Sequence, residues 1–136
     1  MAEEVRILLV DDEELVLRSM EKTLLRAGFD VETAGNVSAG LALFRHALNT
    51  GEPFDVAILD LNMPGWSGEE DANAGLDLLS KLIAAKGDLP VIILSAFDEV
   101  ARAKEAVARG ARAYFVKGRE AGLVDLVNRI IGEQGA

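Results

Sequence analysis

Four apolar runs in this chain each end on a polar residue, and that repeated arrangement limits the fold more than any other feature. Val5-Arg6-Ile7-Leu8-Leu9-Val10 runs into Asp11-Asp12, and Val56-Ala57-Ile58-Leu59 runs into Asp60. Val91-Ile92-Ile93-Leu94 runs into Ser95, and Ala113-Tyr114-Phe115-Val116 into Lys117. Short β-branched runs separated by helical patterns read as buried parallel strands. In an open parallel sheet the carboxyl ends of the strands line one edge, where ligands bind. Three carboxylates, a hydroxyl and an ammonium therefore converge from four segments far apart in the chain. The set, rather than any one member, makes a site.

Between the runs the periodicity is helical. Residues 13–27 repeat Val16, Met20, Leu24 and Ala27 on one face, and Gly28 stops the helix in the usual C′ manner. Asp30 to Ala34 alternates polar and apolar, the pattern of a half-exposed edge strand. Asn36 or Ser38 can cap a second helix whose buried stripe is Val37, Leu41, Phe44 and Leu48. The third strand spans 54–59, and a third helix carries Leu76, Leu79 and Leu82 or Ile83 and ends near Gly87. Pro90 opens a fourth strand, Asp98 can cap a helix over 99–109, and a fifth strand spans 112–116. A last helix turns Leu123, Leu126 or Val127, and Ile130 inward, and 132–136 reads as a frayed tail or the start of a linker. Five strand–helix units with right-handed crossovers give an α/β fold, a (βα)5 doubly wound three-layer sandwich.

At 136 residues the chain is read as a single domain, 1–136, with its core at about 5–132. It has 23 acidic residues against 14 basic ones and a formal charge of −9, which argues against direct nucleic-acid contact. The absence of cysteine excludes disulfides, thiolate catalysis and Cys-based zinc sites. Met1-Ala2-Glu3-Glu4 is acidic and leads straight into a strand, so no signal peptide is expected. No apolar run approaches the ~20 residues of a membrane span. A cytoplasmic setting is expected.

Asp11, Asp12 and Asp60 crowded together are electrostatically costly. Two like charges ~4 Å apart repel by about 4 kcal/mol at an effective dielectric of 20. A hard divalent cation relieves that, and an all-oxygen site with few protein ligands suits Mg²⁺. Lys117 adds positive charge that is not a metal ligand. Metal plus lysine around one carboxylate is equipment for phosphoryl transfer, and carboxylates do serve as phosphoryl acceptors. Ser95 can donate a hydrogen bond to a phosphoryl oxygen.

With these residues in view, Asp11-Asp12-Glu13, Asp60-Leu61-Asn62-Met63-Pro64-Gly65, Leu94-Ser95-Ala96 and Tyr114-Phe115-Val116-Lys117 resemble the receiver (CheY-like) domain of two-component response regulators. The resemblance covers essentially the whole chain in order. It implies a flavodoxin-like five-stranded parallel sheet of order 2-1-3-4-5. It implies that Asp60 is the phosphoacceptor, taking phosphate from a histidine-kinase phosphohistidine or a small phosphodonor. By the same resemblance Asp12, Asp60 and the backbone carbonyl of Asn62 hold Mg²⁺, with Asp11 acting through water. Lys117 pairs with the phosphoryl group, Ser95, Ala96 and Asn62 bind it, and Tyr114 swings inward as Ser95 moves. Implied partners are a sensor histidine kinase or phosphotransfer protein, and a downstream protein or a C-terminal output domain outside this sequence. A homodimer through helix 4, strand 5 and helix 5 is a further implied contact. Such a chain is a switch with intrinsic autophosphorylation and autodephosphorylation, rather than a conventional enzyme.

The sequence departs from the family at three places. Gly118 stands where the family has a proline after the lysine, so a trans Lys117–Gly118 peptide is expected. An insert from about Ser67 to Ala74, carrying Glu69, Glu70 and Asp71, lengthens the loop after Pro64. It reads as a solvated loop or as a cover beside the site. Phe97, two residues after Ser95, would shield a phosphoryl group from water. Simpler readings stand beside these roles. Asp11-Asp12 can be an N-cap, Ser95 a cap of helix four, Tyr114 an edge-strand aromatic, and Trp66 a packing residue of its loop. His46 is expected on the exposed face of helix two, and Met63-Pro64 is a turn device. Two other functions compete: a degenerate receiver used for docking, and a haloacid-dehalogenase-like Mg²⁺ phosphatase built on Asp60-Leu61-Asn62.

Overall fold

The computed structural model describes residues 4–61, 63, 73–118 and 120–135. The chain alternates strand and helix throughout: β1 (Arg6–Val10), α1 (Glu14–Arg26), β2 (Asp30–Ala34), α2 (Val37–Asn49), β3 (Val56–Asp60), α3 (Ala74–Ala85), β4 (Val91–Ser95), α4 (Val100–Ala108), β5 (Ala113–Val116) and α5 (Glu120–Gly135). All the strands pair in parallel in the order β2-β1-β3-β4-β5. This is the expected (βα)5 sandwich, and β1, β3 and β4, the most continuously apolar runs, lie inside it.

The period-2 alternation of a strand divides the core in two. Leu8, Val10, Ala57, Leu59, Val91 and Ile93 face a layer built by α2, α3 and α4. Ile7, Leu9, Val56, Ile58, Ile92 and Leu94 face α1 and α5. At the edges β2 alternates burial as its sequence does, and β5 is half-buried throughout. Arg6 ties the opening of the sheet together. Its guanidinium pairs with Asp30 at 3.2 Å and Glu32 at 2.6 Å on β2, and lies 4.7 Å from the Phe54 ring.

Several boundaries differ from the sequence expectations, each for a local reason. The buried stripe of α1 is Leu17, Met20 and Leu24. Val16 flanks that stripe, and Ala27 lies exposed at the C-cap, beyond the last turn that faces the sheet. In α2 the inner position goes to Ala47, with Leu48 half-buried beside it, while Asn36 is the cap, accepting the Ala39 amide at 2.8 Å. The third strand begins at Val56, because the Asp55 carboxylate turns back to accept the Arg6 amide at 2.8 Å. Asp98 does not cap α4: it lies in a 3-10 turn, Phe97–Glu99, which moves the helix start to Val100. The expected tail from Gly132 is helical to Gly135, with Glu133 held by Arg112 below β5. Leu123, Leu126, Val127 and Ile130 do face inward, and His46 is exposed.

α3 enters immediately over the end of β3. A Cβ added to Gly75 would stand 2.8 Å from the Asp60 carbonyl oxygen, 2.8 Å from Leu61 Cα and 2.9 Å from the Leu61 carbonyl oxygen. All three neighbours are backbone, so only glycine lets the helix approach this closely. Helix propensity alone favours Gly75→Ala by ~1 kcal/mol. The contact reverses that sign, and Gly75→Ala is expected to destabilise the fold by about 2 kcal/mol in urea unfolding, the scale of core overpacking.

Candidate functional site

The carboxyl edge of the sheet gathers the strand-end residues. Asp11 follows β1, its amide donating to the Ala34 carbonyl at 3.1 Å and its Oδ1 accepting the Glu13 amide at 2.9 Å. That i to i+2 bond makes a side-chain turn and holds the loop before α1. Asp11 is therefore not an N-cap; Glu13 occupies that position, with no side-chain cap bond. Asp12 projects into solvent, whereas Asp60 and Ser95, the last residues of β3 and β4, are buried. Lys117 follows β5, and its amide donates to the Ser95 carbonyl at 3.0 Å.

Lys117 crosses the top of the sheet. Its Nζ donates to Glu13 Oε1 at 2.7 Å and stands 3.1 Å from Asp11 Oδ2 and 3.1 Å from Asp60 Oδ2. Burial opposes the ammonium charge, but the bond to Glu13 and the fields of Asp60 and Asp11 outweigh it, and the lysine is held above its ordinary range. Among the described residues the buried Ser95 hydroxyl has no hydrogen-bond partner. An unmade bond of that kind costs about 1–3 kcal/mol, so the hydroxyl is set for an acceptor arriving at the edge.

A hard cation fits these donors. One carboxylate oxygen each from Asp11, Asp12 and Asp60 lies within 4.8 Å of the other two. The ammonium pairs with three carboxylates, Asp11, Glu13 and Asp60, and Asp12 lies beside two of them, an excess of negative charge that a divalent ion reduces.

The structure thus brings Asp11, Asp60 and Lys117 together, with Ser95 buried at the adjacent strand end and Asp12 at the exposed rim. Ala96 directly follows Ser95 and accepts the Glu99 amide at 3.0 Å. Tyr114 is half-buried on β5, opposite Ile93 of β4, and packs against the layer of α2, α3 and α4. Gly118 adopts φ +105, a left-handed conformation that a proline, fixed near φ −65°, cannot take. No described peptide bond is cis, as expected for Lys117–Gly118. Asn62, Trp66 and residues 67–72 of the expected insert, with Glu69, Glu70 and Asp71, lie outside the described residues, as does the side chain of Phe97, while Asn73 and Ala74 at the end of that insert are the N-cap and first residue of α3. Sequence reasoning missed Glu13 and Gly75. An acid at a helix start already has a helix-dipole explanation, and a close backbone approach leaves no trace in one sequence.

Comparison with known proteins agrees with this geometry. The sequence matches the family described as response regulator receiver domain over residues 7–130. It is 34% identical over 125 residues to the response regulator protein FleR of Pseudomonas aeruginosa, covering 91% of this chain and 24% of that protein. It is 34% identical over 113 residues to the two-component response regulator ORR24 of Oryza sativa subsp. indica, covering 83% of this chain and 16% of that protein. The chain therefore spans a quarter or less of those relatives. Among solved structures, a response regulator receiver domain protein from Clostridium thermocellum superposes with a TM-score of 0.83 at 28% identity, over 96% of this chain and 97% of that one. A CheY-like receiver domain protein from Methanospirillum hungatei JF-1 gives a TM-score of 0.81 at 26% identity, over 98% of both chains.

The ion cluster makes a stability prediction. Lys117→Met leaves the Asp11 and Asp60 carboxylates facing each other and is expected to cost about 2–3 kcal/mol at neutral pH, less than a fully buried pair because Glu13 is solvated. A lysine held above its ordinary value stabilises the fold fully below that value and loses the contribution as pH rises through the folded-state pKa. The stability difference between wild type and Lys117→Met should therefore stay flat through neutral pH and fall only above 10.5, in urea titrations at stepped pH.

Proposed function

The chain belongs to the family of response regulator receiver domains, and from that premise we propose that it is a phosphorylation switch with Asp60 as its phosphoacceptor. The observation that carries this reading is the Lys117 ammonium 3.1 Å from both Asp11 and Asp60, at the rim of a three-carboxylate cluster. Asp11, Asp12 and Asp60, with the Asn62 carbonyl, would hold Mg²⁺. A divalent cation bound there supplies neutralisation of the charge on the transferring group.

Asp60 supplies the nucleophilic oxygen. Its bond to phosphorus forms as the phosphorus–nitrogen bond of a phosphohistidine breaks, and the electron pair leaves with the imidazole, which takes up a proton. Lys117 pairs with one phosphoryl oxygen, while the Ser95 hydroxyl and the Ala96 amide donate to others. Hydrolysis returns the carboxylate: water bonds to phosphorus, the bond to Asp60 breaks, and inorganic phosphate leaves. The phosphoryl group puts about −1.5 to −2 charges at the edge in place of the single carboxylate charge of Asp60. Ser95 and Lys117 are drawn toward it, Tyr114 follows the Ser95 strand end, and α4, β5 and α5 settle into a second packing.

The partners in this reading are a sensor histidine kinase or phosphotransfer protein upstream, and an effector or output domain reached through α4, β5 and α5. That face is also the proposed surface for a homodimer. No described helix is long and apolar enough to cross a membrane, and we propose a cytoplasmic setting. Docking alone does not call for a buried acceptor acid, lysine and hydroxyl together on one edge, and a haloacid-dehalogenase-like phosphatase would call for a second acid where the sequence has Asn62.

Incubation with Mg²⁺ and acetyl phosphate, followed by intact-mass measurement, is expected to add one phosphoryl group to the wild-type chain and none to Asp60→Asn. Omission of Mg²⁺ should abolish the adduct. An unmodified wild type, or an adduct that persists in Asp60→Asn, overturns the assignment.

A further inference from the structure

Resting on the reading of Asp60 and Lys117 given above, we infer that Glu13 is a positioning residue, an outer partner that holds the Lys117 ammonium until a phosphoryl group on Asp60 competes for it. The shortest contact of the ammonium is to Glu13 Oε1, at 2.7 Å from a residue 104 positions away, against 3.1 Å to Asp11 and to Asp60. Among the described residues Glu13 has no competing side-chain partner. It sits at the N-cap of α1, yet its side chain makes no cap bond. The acid of the first turn is Glu14, which pairs with Arg18 at 2.9 Å.

The partners differ in depth. The side chains of Asp11 and Asp60 are 0% and 2% exposed, whereas that of Glu13 is 59% exposed. The ammonium thus has two homes: an inner one on buried carboxylates and an outer one on a solvated carboxylate. An outer partner of this kind acts on two equilibria with opposite sign. When Asp11, Asp12 and Asp60 ligate a divalent cation, the ammonium must give up inner contacts. Glu13 then keeps it paired and adds negative charge nearby, so cation binding is strengthened. When Asp60 carries a phosphoryl group, the ammonium is wanted inward, and Glu13 competes for it. Removing the Glu13 charge therefore weakens the first equilibrium and strengthens the second. A loss of fold would weaken both.

The test is Glu13→Gln, with Glu14→Gln as a variant of equal charge change that spares Lys117. Mg²⁺ is titrated calorimetrically. Beryllofluoride, a tetrahedral phosphoryl mimic, is then titrated at saturating Mg²⁺. For Glu13→Gln the Kd for Mg²⁺ is expected to rise about three- to fivefold and that for beryllofluoride to fall about threefold, the scale of a partly exposed ion pair. Glu14→Gln should change both by less than half as much. Unchanged constants, constants that move in the same direction, or an equal response in Glu14→Gln overturn the inference while leaving Asp60 as phosphoacceptor. A wild type that binds neither probe overturns the parent reading, and this one with it.

Discussion

The Lys117 ammonium, held between the carboxylates of Asp11, Asp60 and Glu13, is the interaction on which the functional edge depends. A parallel sheet with order β2-β1-β3-β4-β5 puts the ends of β1 and β3 side by side. Acids at both ends must then face one another across a single strand spacing. Nothing apolar can offset that repulsion. It is offset by an ammonium delivered from β5, two strands away, on a side chain long enough to reach across Ser95 at the end of β4. The fold creates the charge problem and also brings the residue that relieves it.

How much of this was legible in one sequence follows from what each part requires. Buried strands require apolar side chains on both faces, so β1, β3 and β4 were unmistakable, and the polar residues ending them stood out by contrast. The site was legible for the same reason: Asp11, Asp60, Ser95 and Lys117 are placed by strand ends, and strand ends are visible. Helix phase was less legible. The α1 stripe falls on Leu17, with Val16 half-buried beside it, because adjacent apolar positions share the helix face that meets the sheet. Contacts between distant segments left no signal at all. Gly75 looks like any glycine near a helix start until the Asp60 and Leu61 backbones are seen within a Cβ radius of it. Glu13 looks like helix-dipole decoration until Lys117 is seen on it.

Gly118 shows a third situation, in which the sequence departed from the family pattern and the backbone gives the reason. The chain leaves Lys117 through φ +105, which a proline ring forbids and a glycine adopts freely. The lysine is still delivered to the acids, so its position does not require proline. What changes is the stiffness of the exit. Proline restrains the unfolded chain and the preceding residue, whereas glycine restrains neither. In this chain the aim of Lys117 is therefore set by its three carboxylate partners and by the bond from its amide to the Ser95 carbonyl, more than by the backbone that follows it.

That division of labour bears on how the edge can act as a switch. A lysine aimed by charge rather than by rigid backbone responds to any change in the charges around it. On the proposed reading, replacing one carboxylate charge at Asp60 by the ~1.5 to 2 charges of a phosphoryl group would change the balance at a single point. The ammonium and the Ser95 hydroxyl are the groups placed to follow, and they terminate adjacent strands, joined by the amide of Lys117 and the carbonyl of Ser95. A pull on either is transmitted to the other through that bond. In the proposed switch β5 would carry it outward, because as an edge strand it is half-buried along its whole length and bonded to β4 alone, and so it is the strand least confined by the core. The central strands, buried on both faces, cannot move without opening voids. In the proposed switch, motion driven from Asp60 would thereby be channelled toward β5 and the helices beside it.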